Sequence, residues 1–221
     1  MDGFFITGTD TEIGKTFVAC CVIETLKEFQ DKPVHARKPI ASGAIRFSEQ
    51  KLISEDAMRL KKASDNNDSL ADICPYLFEE PISPARAIKL NNSDIQLEDL
   101  IKASATPKKS IGIIEGAGGF YSPLVKDKLN KDLAIALKLP VIVVVGNRLG
   151  CINQALLTIQ AIKDSKLSIA AVVVNNLSLD ADLANYDDLV ELLDEPCINL
   201  PYQPQQHPYP LESLWRHLTT D

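Results

Sequence analysis

Short, continuously apolar runs punctuate this chain, and between them apolar residues recur at helical spacing. Phe4–Thr7, Val34–Lys38, Ile111–Glu115, Val141–Val145, Ile169–Val174 and Cys197–Leu200 read as strands. Several are apolar at nearly every position instead of alternating, as a strand covered on both faces requires. Thr16–Phe29, Glu55–Lys62, Leu97–Ser104, Lys131–Lys138, Ile152–Ser165, Ala181–Leu193 and Leu211–Leu218 carry apolar stripes near the helical period and read as helices. Strands alternating with helices predict an α/β fold, a doubly wound, mostly parallel sheet with helices on both faces. Ser64–Ser69 and the proline-rich Pro201–Pro210 read as loops, and with no internal linker the expectation is a single domain over residues 1–221.

The unusual residues collect at one place in this pattern. Gly8, Lys38, Glu115, Gly146, Asn175 and Pro201 each lie at or just past the carboxyl end of an apolar run. In an open parallel sheet those ends share one edge, and ligands bind in the crevice outside it.

Composition narrows the classes. A chain of 221 residues can hide about 70% of its unfolded surface, enough for a full core. Aromatics at 6% and a net charge of −7 argue against a nucleic-acid surface. Five cysteines without a C-x-x-C pair read as small buried hydrophobes of a reducing compartment, and three scattered histidines suggest no zinc site. There is no basic leader, and the Val141–Val145 run is too short to cross a bilayer, so a soluble, cytoplasmic protein without membrane or nucleic-acid partners is expected.

Gly8-Thr9-Asp10-Thr11-Glu12-Ile13-Gly14-Lys15-Thr16 follows a strand and opens a helix. That context suits a phosphate-binding loop, in which backbone N–H groups and a helix N-terminus favour negative charge. Lys15 would reach the β/γ-phosphates and the Thr16 hydroxyl would coordinate Mg²⁺. Five residues separate the two glycines where the usual pattern has four. Glu115 is the expected acidic partner of the metal, and Gly116-Ala117-Gly118-Gly119 behind it permits close approach of backbone to phosphate. Asp56 reads equally as a metal ligand or as an ordinary charge in a first helical turn.

No Asn-Lys-x-Asp signature for guanine is present, so ATP is favoured, with Asn175 and Asn176 either near the base or in a turn. Lys38, in Lys38-Pro39-Ile40-Ala41-Ser42-Gly43, reads either as a second cation of the crevice or as a surface lysine. In the first case the site suits an anionic acceptor such as a carboxylate or carbamate, with Ser42 donating to the same anion. Gly150-Cys151-Ile152-Asn153 opens a further helix, whose free N–H groups would seat a carboxylate; Cys151 is there either a reactive thiol or part of a plain helix start.

Together the loop Gly8–Thr16, Lys38–Gly43, Glu80–Pro84, Glu115–Gly119 and Leu149–Asn153 resemble dethiobiotin synthetases, in order and over most of the chain. The longer phosphate loop is itself typical of that group. The resemblance implies closure of a cyclic urea from CO₂ and 7,8-diaminopelargonate with ATP and Mg²⁺. It implies Thr16, Asp56 and Glu115 as metal ligands, with Lys38, Lys15 and Thr11 in catalysis. Nucleotide would be held by Glu12, Ile13, Gly14, Lys15, Thr16, Phe17, Asp56, Glu115, Gly116, Ala117 and Gly118, with Asn175, Asn176, Pro201, Tyr202 and Gln203 around the base. Substrate would meet Ser42 and, from the partner subunit of a homodimer with sites at the interface, Gly150, Cys151, Ile152 and Asn153. Asn176 stands where the family pattern has Asp. A partition- or chaperone-type switch ATPase is the alternative; it would normally carry a second lysine inside the loop, and Thr9 to Ile13 supply none.

Overall fold

The computed structural model describes residues 2–48 and 51–218. The chain begins with β1 (Asp2–Gly8), α1 (Lys15–Phe29), β2 (Val34–Arg37), β3 (Ile40–Ala41), β4 (Ile45–Ser48), β5 (Lys51–Ile53) and α2 (Glu55–Ser64). It continues through α3 (Leu70–Ile73), β6 (Tyr76–Leu77), α4 (Pro84–Leu90), α5 (Leu97–Ala103), β7 (Ile111–Gly119), β8 (Pro123–Val125), β9 (Lys128–Leu129) and α6 (Asn130–Leu137). It closes with β10 (Val141–Asn147), α7 (Cys151–Asp164), β11 (Ile169–Asn176), α8 (Ala184–Leu192), β12 (Cys197–Leu200) and α9 (Glu212–Leu218).

Six of the strands form one parallel sheet in the order β12-β11-β10-β1-β7-β2. β1 is the turning point: the chain first winds out to β2, returns through β7, and then crosses to β10 on the other side. The carboxyl end of β1 therefore opens where ligands bind in such sheets.

Consecutive strand residues point to opposite faces, and both faces are dry. Ile6, Ile142 and Val173 pack with Val18 and Val22 of α1 and Leu214 of α9. Phe5, Val143 and Val172 pack with Leu133 of α6, Ile159 of α7 and Leu189 of α8. Each such side chain contributes about 1.5–3 kcal/mol on burial, so the sheet edge is a rigid platform. α9 closes against α1 through stacking of Trp215 on Phe29, with centroids 5.5 Å apart, and through the Leu211 N–H donating to Thr25 Oγ1 at 2.8 Å.

The expected strands and helices are all present, with corrected limits. β7 does not stop at Glu115; it runs to Gly119, which pairs with Gly8 after a register shift. Glycine makes that extension feasible, since a Cβ at Gly116 would lie 2.5 Å from Asn130 Nδ2. β2 ends at Arg37, one residue before Lys38. α8 begins at Ala184 instead of Ala181, because the Asp182 carboxylate accepts the Ala184 N–H at 3.0 Å and fixes a turn there. The short elements β3, β6, α3, α4 and the hairpins β4–β5 and β8–β9 were not foreseen. Among the described residues, no helix is long and apolar enough to cross a membrane.

Candidate active site

The loop between β1 and α1 is fixed from below. Ile13, 1% exposed, is wedged between the ends of β1 and β10, where a Cβ on Gly8 or Gly146 would come within 2.6 and 2.7 Å of its side chain. Asn175 Nδ2, from β11, donates to the Ile13 carbonyl at 2.9 Å. Gly14 follows at φ +85°, and a Cβ there would stand 2.3 Å from that same amide nitrogen, so only glycine fits. α1 then starts with no side-chain cap and no acid in its first turn. Its first N–H groups and positive dipole end are left for an anion.

Behind the loop, three elements bring charged groups together. Lys38, just past β2, donates from Nζ to Asp56 Oδ2 at 2.6 Å and to Glu115 Oε1 at 2.6 Å. Thr16 Oγ1 donates to the same Glu115 oxygen at 2.9 Å. Asp56 sits in the first turn of α2, behind the cap Ser54, whose Oγ accepts the Ala57 N–H. Burial disfavours the Lys38 ammonium, but Glu115 and Asp56 outweigh it and raise its pKa, so Lys38 stays charged. Burial likewise works against ionised Asp56, and Lys38 reverses the sign and lowers its pKa. Among the described residues Lys15 has no such pairing. Its Nζ donates to the Asp10 carbonyl at 2.6 Å, and burial lowers it to about 8 although Glu115 pulls the other way.

These residues suit Mg²⁺. Glu115 Oε2 is buried and lacks a hydrogen-bond partner among the described residues, and Thr16, Asp56 and Glu115 offer only hard oxygen donors. No group of three or more His, Cys, Asp or Glu among the described residues forms a complete metal cage. That fits an ion bound by one or two carboxylates and completed by phosphate oxygens and water.

A cavity of about 570 Å³ opens over the cluster. Thr11, Glu12, Gly14, Lys15, Thr16 and Phe17 line it, together with Lys38, Ser42, Asp56, Glu115, Ala117 and Gly118. The Ser42 hydroxyl is buried there without a partner among the described residues. Other expected residues lie elsewhere. Gly116 faces Asn130 and Phe5. Asn175 holds the loop, and Asn176 belongs to an amide chain, accepting from Asn147 at 2.7 Å and donating to Asn199 at 3.0 Å. Pro201, Tyr202 and Gln203 follow β12 outside the lining.

Gly150, Cys151, Ile152 and Asn153 do not line this cavity. They start α7, where Gly150 has φ +88° and no side chain caps the helix. Cys151 is fully buried, its Sγ 3.9 Å from Asn147 Oδ1, which is the plain helix start and not an exposed thiol. The preceding Arg148 pairs with Asp10 of the phosphate loop.

Sequence reading assigned no role to several lining residues: Arg59, the Pro81–Pro84 segment, Ser122 and Gln206. Arg59 was within reach, since it lies three residues after Asp56 and so on the same helix face. Gln206 sits in a proline-rich loop whose composition gives no such clue.

A family model described as an AAA domain matches residues 2–207. A protein from Anaeromyxobacter dehalogenans named ATP-dependent dethiobiotin synthetase BioD is 35% identical over 210 residues, covering 92% of each chain. One of the same name from Vesicomyosocius okutanii is 38% identical over 177 residues, 80% of each. Among solved structures, a ParA family ATPase from Chlorobium tepidum superposes with a TM-score of 0.53 at 16% identity, over 99% of this chain and 91% of its own. That likeness supports the α/β phosphate-loop fold and nothing finer.

Proposed function

The chain belongs to the ATP-dependent dethiobiotin synthetase family, and we propose that it makes dethiobiotin from 7,8-diaminopelargonate, CO₂ and ATP. It is thus an ATP-dependent ligase forming C–N bonds. The observation that carries the reading is the buried Lys38 ammonium beside the phosphate loop, with the unpartnered Ser42 hydroxyl on the same cavity. Such a site stabilises an acceptor that is already anionic.

The chemistry runs in three steps. One amine adds to CO₂ and loses a proton, giving a carbamate. A carbamate oxygen then attacks the γ-phosphorus, the bond to ADP breaks, and a carbamic-phosphoric anhydride forms. The second amine attacks the anhydride carbon and loses a proton, and phosphate leaves as the urea ring closes. In this reading the α1 N-terminus and Lys15 hold the β/γ-phosphates, and Lys38 balances the carbamate and the transferring phosphoryl group. Thr11 and Ser42 place the diamine end. Thr16, Asp56 and Glu115 would hold Mg²⁺, which when bound neutralises phosphate charge. Pro201–Gln203, just past β12, border the adenine, while the amides of Asn175 and Asn176 are taken up within the protein.

The reading includes a single domain that pairs as a homodimer, in which Gly150–Asn153 of the partner subunit seats the tail carboxylate. Supporting this, Leu149, directly before that helix start, is 100% exposed, and Leu157, Leu179 and Leu183 also expose apolar side chains. Measuring phosphate release from ATP, with the diamine and bicarbonate omitted in turn, tests the proposal. Release that needs both is expected; equal release without them would point to the switch ATPase instead.

A further inference from the structure

Arg59 lines the cavity with its guanidinium in no ion pair among the described residues, although its charge is felt by Asp56 one turn before it. It is an exposed residue of α2. The other two cations of the cavity are engaged, Lys15 on a carbonyl and Lys38 on two carboxylates.

The partner Arg59 does have is neutral and comes from far along the chain. Its Nη1 donates to Gln206 Oε1, in the loop after β12. Gln206 also lines the cavity. Its backbone is left-handed, with φ +46°, and its N–H donates to the Gln203 carbonyl at 3.0 Å, a tight turn that presents the side chain to α2. A guanidinium carries several N–H donors in a planar fork, of which Gln206 occupies one. The remainder, with the full positive charge, stands beside a cavity built for phosphates.

We infer that Arg59 is a further nucleotide-binding residue, its guanidinium taking phosphate oxygens of a nucleoside triphosphate, with Gln206 as the residue that positions it. The inference rests on the reading that this cavity binds ATP. A contact to phosphate adds affinity without selecting a base, which suits a site whose two expected base-side asparagines, Asn175 and Asn176, are engaged within the protein.

The test is calorimetric titration of the full chain with MgATP at several KCl concentrations. Arg59→Ala is expected to weaken binding by about tenfold to a hundredfold and to flatten its dependence on salt, with partial recovery in Arg59→Lys. Gln206→Glu still accepts the hydrogen bond but neutralises the guanidinium. It is therefore expected to weaken MgATP binding more than Gln206→Ala does, an order that a merely structural role would reverse. Wild-type affinity in Arg59→Ala, or a loss with unchanged salt dependence, would overturn the inference alone. Failure of the wild-type chain to bind MgATP would overturn it together with the proposed function.

Discussion

The Lys38 ammonium lies 2.6 Å from Glu115 Oε1, and the same nitrogen lies 2.6 Å from Asp56 Oδ2, so one cation balances two carboxylates drawn from β7 and α2. Removing it leaves Glu115, 1% exposed, without its counter-charge. Breaking a buried pair in this way costs about 3–5 kcal/mol. Asp56 keeps a side-chain exposure of 41%, which places the expected loss near the lower end. Lys38→Met should therefore unfold at lower urea, and millimolar Mg²⁺ should recover part of the loss by binding the released carboxylates. Product formation should vanish while MgATP still binds. A variant as stable as the wild type would contradict the charge-balancing role, and one that turns over would contradict the catalytic role.

Glu115→Gln keeps the shape but not the charge. With one proposed metal ligand weakened, half-saturation of turnover by Mg²⁺ is expected to rise by about tenfold to a hundredfold. Titration of turnover with Mg²⁺ reads this directly, and an unchanged curve would take Glu115 out of the metal site.

Lys15 supplies a pH signature. Burial lowers it from 10.5 to about 8, so between those values the unfolded chain binds the extra proton and stability rises with pH. Below pH 8 the buried ammonium costs stability, about 3 kcal/mol. Urea unfolding at pH 7 without nucleotide should accordingly find Lys15→Met more stable than wild type, and the rise between pH 8 and 10 should disappear in the variant. MgATP affinity of the wild type should fall as pH climbs past 8, because the phosphates favour the charged lysine. A variant less stable at every pH would contradict the burial argument.

Much of this site could be read from residues alone because its parts sit where apolar runs end. Gly14, Lys15 and Thr16 announce themselves by the loop pattern, and Glu115 by an isolated charge abutting a hydrophobic strand; Lys38, beside Arg37, reads equally as a surface lysine. What sequence did not reveal was contact. Whether Asp56 was an ordinary helix-start charge depended on α2 docking beside α1 and β2, a long-range fact. Asn175 looked like a base reader, yet it braces the loop, because the β11 end lies directly beneath Ile13. The small elements between Lys62 and Leu97 escaped since strands of two residues and helices of one or two turns are too short to establish a period.

The shared-site reading has its own test. An inactive Lys38→Ala chain mixed with an Asn153→Ala chain should recover partial activity, since one of the two sites in a heterodimer would then be intact. Absence of recovery in heterodimers shown to form would argue that each chain works alone.

The most direct measurement follows carbon. Incubating the protein with ¹³C-bicarbonate, 7,8-diaminopelargonate and MgATP should yield a cyclic urea carrying the label at its ring carbonyl, with one phosphate released per ring. Phosphate released without label entering a ring, from folded protein and authentic substrates, would contradict the activation of captured CO₂ beside Lys38.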